Sequence, residues 1–173
     1  MVENSGELKI ALAGNPNTGK SSIFNLLTGA KQHVGNWPGK TVARAHGSFT
    51  HEGHVVEIVD LPGTYSLNAS SPEEIVAREY LVSGVPDAAV VVVDAANLER
   101  NLYLVVQILE TNVPVILDLN MLDAASSRGI QVDAAELSAQ LGVPVVSTVA
   151  RSSTGLEELK DAIVGVLDWE GAL

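Results

Sequence analysis

The sequence predicts an α/β fold of three layers, with a mainly parallel six-stranded sheet, one antiparallel edge strand and helices on both faces. Short aliphatic runs alternate with amphipathic stretches along the chain, as they do in successive βαβ units. The aliphatic runs are continuous, which is typical of strands covered on both faces. The chain has 173 residues, of which 46% are hydrophobic and 18% are charged, and this suits one domain with a full core.

The strands are predicted from the apolar runs. Five runs are expected to be buried strands: Leu8–Ala13, Val55–Asp60, Ala88–Asp94, Val113–Asn120 and Val143–Val149. Ala43–Thr50 mixes polar and apolar residues and is predicted to be the edge strand. We expect it to form a hairpin with the strand that follows, through the turn His51–His54.

Helical stretches fill the intervals between the strands. They are predicted over Lys20–Thr28, Pro72–Val82, Leu98–Thr111, Ala134–Leu141 and Leu156–Asp168. Ser71 precedes Pro72 and two glutamates, which favours a helix start because the hydroxyl caps the first turn and the acids face the positive end of the helix dipole. Gly29–Val42 is predicted to be a long irregular loop, and such loops in compact domains are usually functional.

The distribution of charge indicates where an anionic ligand would bind. The net charge of −11 argues against a nucleic-acid partner. Residues 1–50 hold five Lys/Arg and two Asp/Glu and carry +3, whereas residues 51–173 carry −14. We therefore expect an anionic ligand at the basic first section of the chain.

Composition excludes several kinds of protein. The chain has no cysteine, which rules out disulfides, thiolate zinc sites and cysteine nucleophiles. Its longest aliphatic stretch, Ala88–Val93, is far shorter than the roughly 20 residues that a membrane-spanning helix needs. The acidic first residues lack the apolar segment of a signal peptide. This fragment is therefore expected to be soluble.

A phosphate-binding loop is predicted at Gly14–Ser21, which fits the pattern G-x-x-x-x-G-K-[ST]. The segment follows an apolar strand and precedes a helix, as this pattern requires, so we prefer this interpretation to a glycine-rich turn. The backbone N–H groups would wrap a phosphate chain at the positive end of the helix. Lys20 would reach the outer phosphates, and the Ser21 hydroxyl would ligate Mg²⁺. The candidate binding residues are Gly14, Asn15, Asn17, Thr18, Gly19, Lys20, Ser21 and Ser22.

A second motif, Asp60-Leu-Pro-Gly63, ends the next predicted buried strand. Asp60 would hold the Mg²⁺ shell, usually through water, and Gly63 would offer its N–H to a terminal phosphate with no side chain in the way. The pattern D-x-x-G alone is weak and mostly marks a turn. Its place at a strand end, downstream of a phosphate-binding loop, favours the functional interpretation.

A third motif is predicted to select the base. Asn120-Met121-Leu-Asp123 follows the strand predicted over residues 113–119. The Asp123 carboxylate can accept hydrogen bonds from the N1 and N2 donors of guanine, a donor pair that adenine lacks. Asn120 would tie the phosphate loop to the base loop. A backbone N–H at Val149 or Ala150, where the last strand ends, would meet guanine O6.

In order and spacing, these elements resemble the P-loop GTPases of the Ras-like superfamily. More narrowly, the chain is similar to the cytosolic GTPase domain of FeoB, the ferrous-iron transporter of bacteria and archaea. The narrow evidence is Val34–Val42, which looks like the first switch of that family, with Gly-Asn-Trp-Pro-Gly and a following threonine. Further similar segments are Asp60–Leu67, Ser70–Glu74, Arg100–Leu104, Asn120–Asp123 and Arg128–Ile130. The resemblance covers about Leu8 to Asp168.

The resemblance implies a three-layer P-loop GTPase fold and an enzyme that slowly hydrolyses GTP to GDP and phosphate. Lys20 and Gly63 would be catalytic residues, together with Thr41. When GTP is bound, Thr41 would complete the Mg²⁺ shell that Ser21 and Asp60 begin.

The resemblance also implies that K⁺ activates hydrolysis. Asn17 matches the phosphate-loop asparagine of potassium-stimulated GTPases and would serve as a catalytic residue and a K⁺ ligand. The backbone of Gly35, Asn36 and Trp37 would supply further K⁺ ligands.

In that family a helical domain and transmembrane helices follow the GTPase domain. The resemblance therefore implies that residues 1–173 form a single GTPase domain, with a core of about residues 8–168 and a last helix that ends near Trp169. Its partners would be guanine nucleotide and those other domains, and association between copies stays open. The full-length protein would present this domain at the cytoplasmic face of the prokaryotic cell membrane.

Other residues carry weaker expectations. Thr64 stands where many Ras-like enzymes have a water-orienting glutamine, and Arg44, a candidate arginine finger, is expected to lie past the loop. Asp118 stands where a small apolar residue is expected, and Trp37 is expected to be mobile and partly exposed. The histidines, expected to be solvated and not to bind a metal, are His33, His46, His51 and His54.

Three other functions stay open from the sequence. A soluble GTPase of ribosome assembly or tRNA modification would use the same nucleotide motifs, although Val34–Val42 argues against it. A P-loop kinase would need a lid with arginines and an acceptor pocket, and it would not need Asp123. A switch that binds GTP without useful hydrolysis would be separated from an enzyme only by a turnover assay.

Overall fold

The fold is described for residues 7–166 and 168 by a computed structural model. Within these residues the strands are β1 (Leu8–Gly14), β2 (Gln32–Asn36), β3 (Ala43–His51), β4 (His54–Asp60), β5 (Ala88–Asp94), β6 (Val115–Asn120) and β7 (Val145–Ser147). The α-helices are α1 (Lys20–Thr28), α2 (Pro72–Val82), α3 (Leu98–Leu109), α4 (Leu122–Ser127), α5 (Ala134–Leu141) and α6 (Leu156–Val164). The predicted α/β fold is confirmed.

The strands form one sheet in the order β2-β3-β4-β1-β5-β6-β7. The strand β3 pairs antiparallel with both of its neighbours, and every other pairing in the described sheet is parallel. The hairpin of β3 and β4 forms as predicted, with His51 paired to His54. A mainly parallel sheet brings the carboxyl ends of its strands to one edge, where ligands bind in such folds.

The sheet has seven strands where the sequence predicts six. The additional strand is β2, which lies inside the segment predicted to be an irregular loop, Gly29–Val42. It takes the edge position and pairs antiparallel with β3, so the prediction that Ala43–Thr50 is the edge strand is wrong. Every residue of β2 is exposed, which explains the error, because a strand with no buried face leaves no apolar period in the sequence.

Two hydrophobic clusters cover the two faces of the sheet. The helices α2 and α3 contribute to one cluster, and α1 and α6 contribute to the other. Along β1 the side chains alternate between the clusters, since Ala11 and Ala13 belong to the first and Ile10 and Leu12 to the second. The continuous apolar runs of the sequence therefore do mark strands that are buried on both faces.

Most predicted boundaries agree with the structure to within two residues. The helices α1, α2 and α5 have the predicted bounds, and α2 is capped by Ser71 Oγ, which accepts from Glu74 N at 3.2 Å. The strand β7 is shorter than Val143–Val149, and α6 ends at Val164, before the predicted Asp168. The prediction that the last helix ends near Trp169 lies outside the described residues.

The short helix α4 is absent from the sequence prediction. It has six residues and begins after Met121, which has a left-handed φ of 62° and provides no side-chain cap. Without a cap or an apolar stripe, a helix of this length carries no signal. Among the described residues, no helix has the length and apolar character needed to span a bilayer.

Candidate functional site

The three predicted motifs meet at one edge of the sheet. They follow the carboxyl ends of β1, β4 and β6, and the loop after β7 joins them. Three cavities of about 430, 600 and 380 Å³ lie along this edge. The first two share Gly19 and Ser22, and the first and third share Lys20 and Gly63. The motifs therefore line adjoining cavities along one edge of the sheet.

The phosphate cavity of about 430 Å³ lies over the loop from β1 to α1. Its walls are Asn15, Pro16, Asn17, Gly19, Lys20, Ser21, Ser22 and Gly63. Glycine is required at two points of the loop: a Cβ on Gly14 would lie 2.6 Å from Val92 O, and a Cβ on Gly19, whose φ is +88°, would overlap the Asn120 side chain. The loop therefore holds its backbone close to β5 and to the base loop, at the positive end of α1.

The Lys20 ammonium group is held between the phosphate loop and the end of β4. It donates to Asp60 Oδ1 and, at 2.7 Å, to Leu61 O. The residue is only 9% exposed. This contact places the predicted phosphate ligand beside the predicted Mg²⁺ carboxylate, so a single charged pair joins the first two motifs.

The cavity of about 380 Å³ brings Thr41 next to Lys20, Asp60 and Gly63. The loop after β4 is tied to the phosphate loop, because Thr64 N donates to Gly14 O at 3.2 Å. Arg44 lines this same cavity. Its guanidinium carbon lies 4.9 Å from the ring centroid of Trp37, so Arg44 packs against that ring.

The base cavity of about 600 Å³ contains the third motif. Its walls include Asn120, Met121, Asp123, Val149 and Ala150. The predicted link between the loops is present, since Asn120 Nδ2 donates to Thr18 O at 2.9 Å. The Ala150 N–H, expected to be directed at a base oxygen, instead donates to Asn120 Oδ1 at 3.1 Å. The amide of Asn120 thus holds the phosphate loop and the β7 loop together.

Comparison with known proteins shows to which family the chain belongs. Residues 8–163 match the profile of the family described as Ferrous iron transport protein B. The chain belongs to the FeoB family. It is 51% identical over 161 residues, 91% of this chain, to the Fe(2+) transporter FeoB of Shigella flexneri. It spans only about a fifth of the length of the curated relatives it matches, between 19% and 21%.

Solved structures of FeoB domains share the fold. The G domain of the T. maritima FeoB iron transporter is 47% identical, with a TM-score of 0.88, and the match covers 94% of this chain and 99% of that one. An S. thermophilus NFeoB mutant bound to mGDP is 49% identical, with a TM-score of 0.89, and the match covers 92% of this chain and 61% of that one. Membership of the FeoB family decides against the soluble-GTPase and kinase alternatives.

The FeoB-like segment Val34–Val42 differs from the expected mobile loop. Gly35 and Asn36 belong to β2, and Trp37 N donates to Val42 O at 2.9 Å. Trp37 is 9% exposed and packs edge-on against Tyr80, with ring centroids 5.3 Å apart. The prediction of a partly exposed Trp37 is therefore wrong. The predicted K⁺ ligands Gly35–Trp37 are not among the residues that line the phosphate cavity with Asn17.

Two residues near the phosphate loop of this FeoB-family domain carry no site prediction. Arg100 and Tyr65 line a small cavity of about 150 Å³ with Asn15 and Asn17. The guanidinium carbon of Arg100 lies 4.8 Å from the Tyr65 ring centroid. Only the tertiary fold places α3 against this loop, so sequence spacing gives no signal for Arg100.

Among the histidines, His51 is less solvated than expected, and Asp118 is buried. The His51 side chain is only 14% exposed, and its Nε2 lies 2.6 Å from Asp161 Oδ1, while the His33 and His46 rings lie 5.2 Å apart. Asp118 is fully buried and hydrogen-bonds Thr148. Burial raises the pKa of Asp118 from 3.8 to about 7, and the hydrogen bond with Thr148 lowers it.

Proposed function

We propose that this FeoB-family domain binds GTP and GDP with Mg²⁺ and hydrolyses GTP slowly, with stimulation by K⁺. The observation that carries the proposal is the adjacency of the phosphate cavity and the base cavity, which share Gly19 and Ser22. A cavity for the base, with Asp123 in its wall, thus opens directly beside a loop built for phosphate. The related S. thermophilus FeoB domains bound to mGDP or GDP support a guanine ligand.

The first section of the chain supplies the contacts to phosphate. Backbone N–H groups of the loop Gly14–Gly19 and the ammonium group of Lys20 would surround the phosphate oxygens. Lys20 would exchange its contact with Asp60 for the outer phosphates. Gly63 N–H would donate to the terminal phosphate, and a Cβ there would make ordinary van der Waals contact with Pro16 at 3.4 Å.

The donor set fits magnesium. Ser21 and Thr41 offer hydroxyl oxygens and Asp60 offers a carboxylate oxygen, the hard ligands that Mg²⁺ prefers. Lys20 and Gly63 line both the cavity that holds Ser21 and the cavity that holds Thr41 and Asp60. When bound, Mg²⁺ would neutralise charge on the phosphate oxygens.

Potassium stimulation rests on the amide oxygens of the phosphate loop. Asn17 lines the phosphate cavity, and so does Asn15, whose Oδ1 is buried and has no hydrogen-bond partner among the described residues. Amide oxygens of this kind fit a weakly hydrated cation, which would supply positive charge beside the phosphates. The backbone of Gly35–Trp37 would have to approach Asn17 to add ligands.

The slow rate follows from the catalytic residues that are present. Thr64 is 5% exposed and its N–H is bonded to Gly14 O, so it does not take the place of a water-orienting glutamine. Arg44 packs on Trp37. Without a cation the expected rate is that of unassisted Ras-like enzymes, roughly 10⁻⁴ to 10⁻² per second.

The domain would act within a longer membrane transporter of ferrous iron. Its relatives are about five times as long as this chain, and helical and transmembrane domains of the same protein would be its partners. Residues 1–173 would then be the single GTPase domain at the cytoplasmic face of the membrane.

A nucleotide titration tests the proposal. We expect GDP and GTP to bind in the presence of Mg²⁺ and ATP to bind at least about 100-fold more weakly, since two hydrogen bonds to a carboxylate distinguish the bases. The titration is done in KCl and in NaCl, and phosphate release is followed in both. Equal affinities for ATP and GTP would overturn the assignment, and GTP binding without phosphate release would leave a switch that only binds.

A further inference from the structure

Asp118 is a buried acidic residue to which the proposed nucleotide chemistry gives no role. It lies in β6, two residues before Asn120, and is 0% exposed. Its partners in register are Val92 on β5 and Val146 on β7. A carboxyl group between apolar neighbours is costly unless it is neutral or fully hydrogen-bonded.

A chain of polar contacts leads from this carboxyl group to the nucleotide loops. Thr148 Oγ1 hydrogen-bonds Asp118 Oδ1 and lies 3.3 Å from Asn120 Oδ1. The Asn120 amide in turn accepts from Ala150 N at 3.1 Å and donates to Thr18 O at 2.9 Å. The buried carboxyl group is therefore connected to both the phosphate loop and the base loop.

The single hydroxyl proton of Thr148 cannot serve two acceptors. If Asp118 is ionised, Thr148 must donate to it, and then Thr148 Oγ1 and Asn120 Oδ1 face each other at 3.3 Å as two acceptors. If Asp118 is protonated, its Oδ1–H donates to Thr148, and Thr148 donates to Asn120. Asn120 Oδ1 accepts from Ala150 N in both forms, but only the protonated form avoids two acceptors facing each other and adds a donor from Thr148.

The surroundings of the second carboxyl oxygen also favour the protonated form of Asp118. Asp118 Oδ2 is buried and has no hydrogen-bond partner within residues 7–166 and 168. In the protonated acid, Oδ2 is a neutral carbonyl oxygen, and the cost is one missing hydrogen bond. In the carboxylate, Oδ2 carries negative charge that no buried donor among the described residues offsets, and the cost is larger. Burial accordingly raises the pKa of Asp118 to about 7.

The charged groups of the elements around Asp118 are engaged elsewhere or exposed. They are Asp94 of β5, Lys20 of α1, and Glu157, Glu158, Lys160 and Asp161 of α6. Asp94 accepts from Ala96 N at 2.8 Å, and Lys20 is paired with Asp60. On α6, Glu157 is bonded to Lys160, Asp161 is bonded to His51, and Glu158 is exposed. The strand β7 has no charged residue.

We propose that Asp118 is a positioning residue for guanine recognition: in its protonated form it donates to Thr148, which then holds the Asn120 amide where it joins the two loops. This inference rests on the proposed guanine-nucleotide function. Ionisation of Asp118 takes the Thr148 proton away from Asn120, so guanine affinity falls as the pH rises through neutrality.

The test compares the pH dependence of GDP binding in the wild-type chain and in Asp118→Asn. The asparagine amide donates to Thr148 at every pH and so imitates the protonated acid. Because GDP phosphates titrate in the same range, the wild-type affinity is divided by that of the variant at each pH. We expect this ratio to fall about 3- to 10-fold between pH 6 and pH 8.5, as for the loss of one hydrogen bond.

Two further variants test whether Asp118 acts on Asn120 through the Thr148 hydroxyl or through a general effect on the structure. Thr148→Val removes the hydroxyl, so GDP affinity should lose its dependence on the Asp118 proton, and Thr148→Ser should restore it. The exposed aspartate variant Asp87→Asn is the matched control and should keep the wild-type profile. An infrared difference spectrum between wild type and Asp118→Asn should show the carbonyl band of a protonated acid at pH 6.

The outcomes distinguish this inference from the proposed function. GDP binding with the same pH profile in wild type and Asp118→Asn overturns the positioning role alone. Absence of the acid band at pH 6 overturns it as well. Failure of the wild-type chain to bind GDP at any pH overturns the proposed function and removes the positioning role with it.

Discussion

At the scale of single residues, the contact between Lys20 and Asp60 holds the candidate phosphate site together. The ammonium group is bonded to Asp60 and to Leu61 O, and the side chains are 10% and 19% exposed. Both residues have proposed roles that require them to separate, since one would bind phosphate and the other the Mg²⁺ shell. Nucleotide binding would therefore exchange one partly buried ion pair for two charged contacts, so neither charge is left without a partner.

The role of Asp123 can be tested by a single change. The two hydrogen bonds proposed between Asp123 and guanine would be charge-assisted, and each would be worth roughly 1.5–3 kcal/mol. We expect Asp123→Asn to weaken GDP binding by at least about 100-fold and to favour xanthine nucleotides, whose altered edge suits an amide. Calorimetric titration with GDP and XDP measures both effects, with the exposed Asp87→Asn as control. Unchanged preference for GDP in the Asp123 variant would contradict the base-selecting role.

Asp118 also makes stability depend on pH. Its pKa in the folded chain, about 7, lies above the ordinary value of 3.8, so the folded state holds this proton at pH values where the unfolded state has lost it. The contribution to stability is complete below about pH 4 and is lost as the pH rises to about 7, with a total of up to about 4 kcal/mol.

We therefore expect the unfolding free energy of the wild type to decrease between pH 5 and pH 8 relative to that of Asp118→Asn. Denaturant titrations at several pH values measure the difference between the two proteins, and Asp87→Asn should follow the wild type. Parallel stability curves for wild type and Asp118→Asn would show that this carboxyl group titrates alike in both states.

At the scale of elements, the sequence predicts what has an apolar period and misses what lacks one. The strands β1 and β5 are recognised from their continuous apolar runs, and the helices α1 and α2 from apolar residues at helical spacing. The strand β2 has no buried residue and is created by its pairing with β3. The motif residues of the site are predictable for a different reason, because each motif is defined by residue types at fixed local spacing. The contacts of Arg100 and Asp118 depend on neighbouring elements and are not predictable.

The segment Val34–Val42 is expected to respond to the γ-phosphate. Trp37 is buried against Tyr80 and Arg44, and Thr41 lines the adjacent cavity. If Thr41 turns towards Mg²⁺ when GTP is bound, the packing of Trp37 must change. In a Trp169→Phe background, where Trp37 is the one tryptophan left of two, we expect a red shift of emission with a GTP analogue compared with GDP.

Two variants control the fluorescence experiment. Thr41→Ala should remove the difference between the nucleotides, because it removes the hydroxyl that meets Mg²⁺, whereas Thr41→Ser should retain it. Emission spectra of Trp37 that coincide in the apo, GDP and GTP-analogue states would show that this segment does not sense the nucleotide.

At the scale of the whole molecule, the mainly parallel sheet brings distant segments together at one edge. The backbone of Gly35–Trp37 does not line the phosphate cavity at that edge. The loops that follow the strands, from Asn15 to Arg151, line the adjoining cavities. The backbone of Gly35–Trp37 remains with the β2–β3 hairpin. A complete K⁺ cage would therefore require movement of this hairpin relative to the phosphate loop.

Hydrolysis measured in matched KCl and NaCl tests whether such a cage forms. A monovalent cation beside Asn17 would offset the charge that develops on the leaving oxygen, and K⁺ loses its hydration shell more readily than Na⁺. We expect faster GTP hydrolysis in KCl at equal ionic strength, with the advantage largely lost in Asn17→Ala. Asn112→Ala is the matched control, because Asn112 and Asn17 have similar left-handed φ angles of 63° and 65° and the control therefore carries the same backbone cost. Identical rates in the two salts would remove the cation from the mechanism, and an equal loss in both variants would assign the effect of Asn17 to backbone strain.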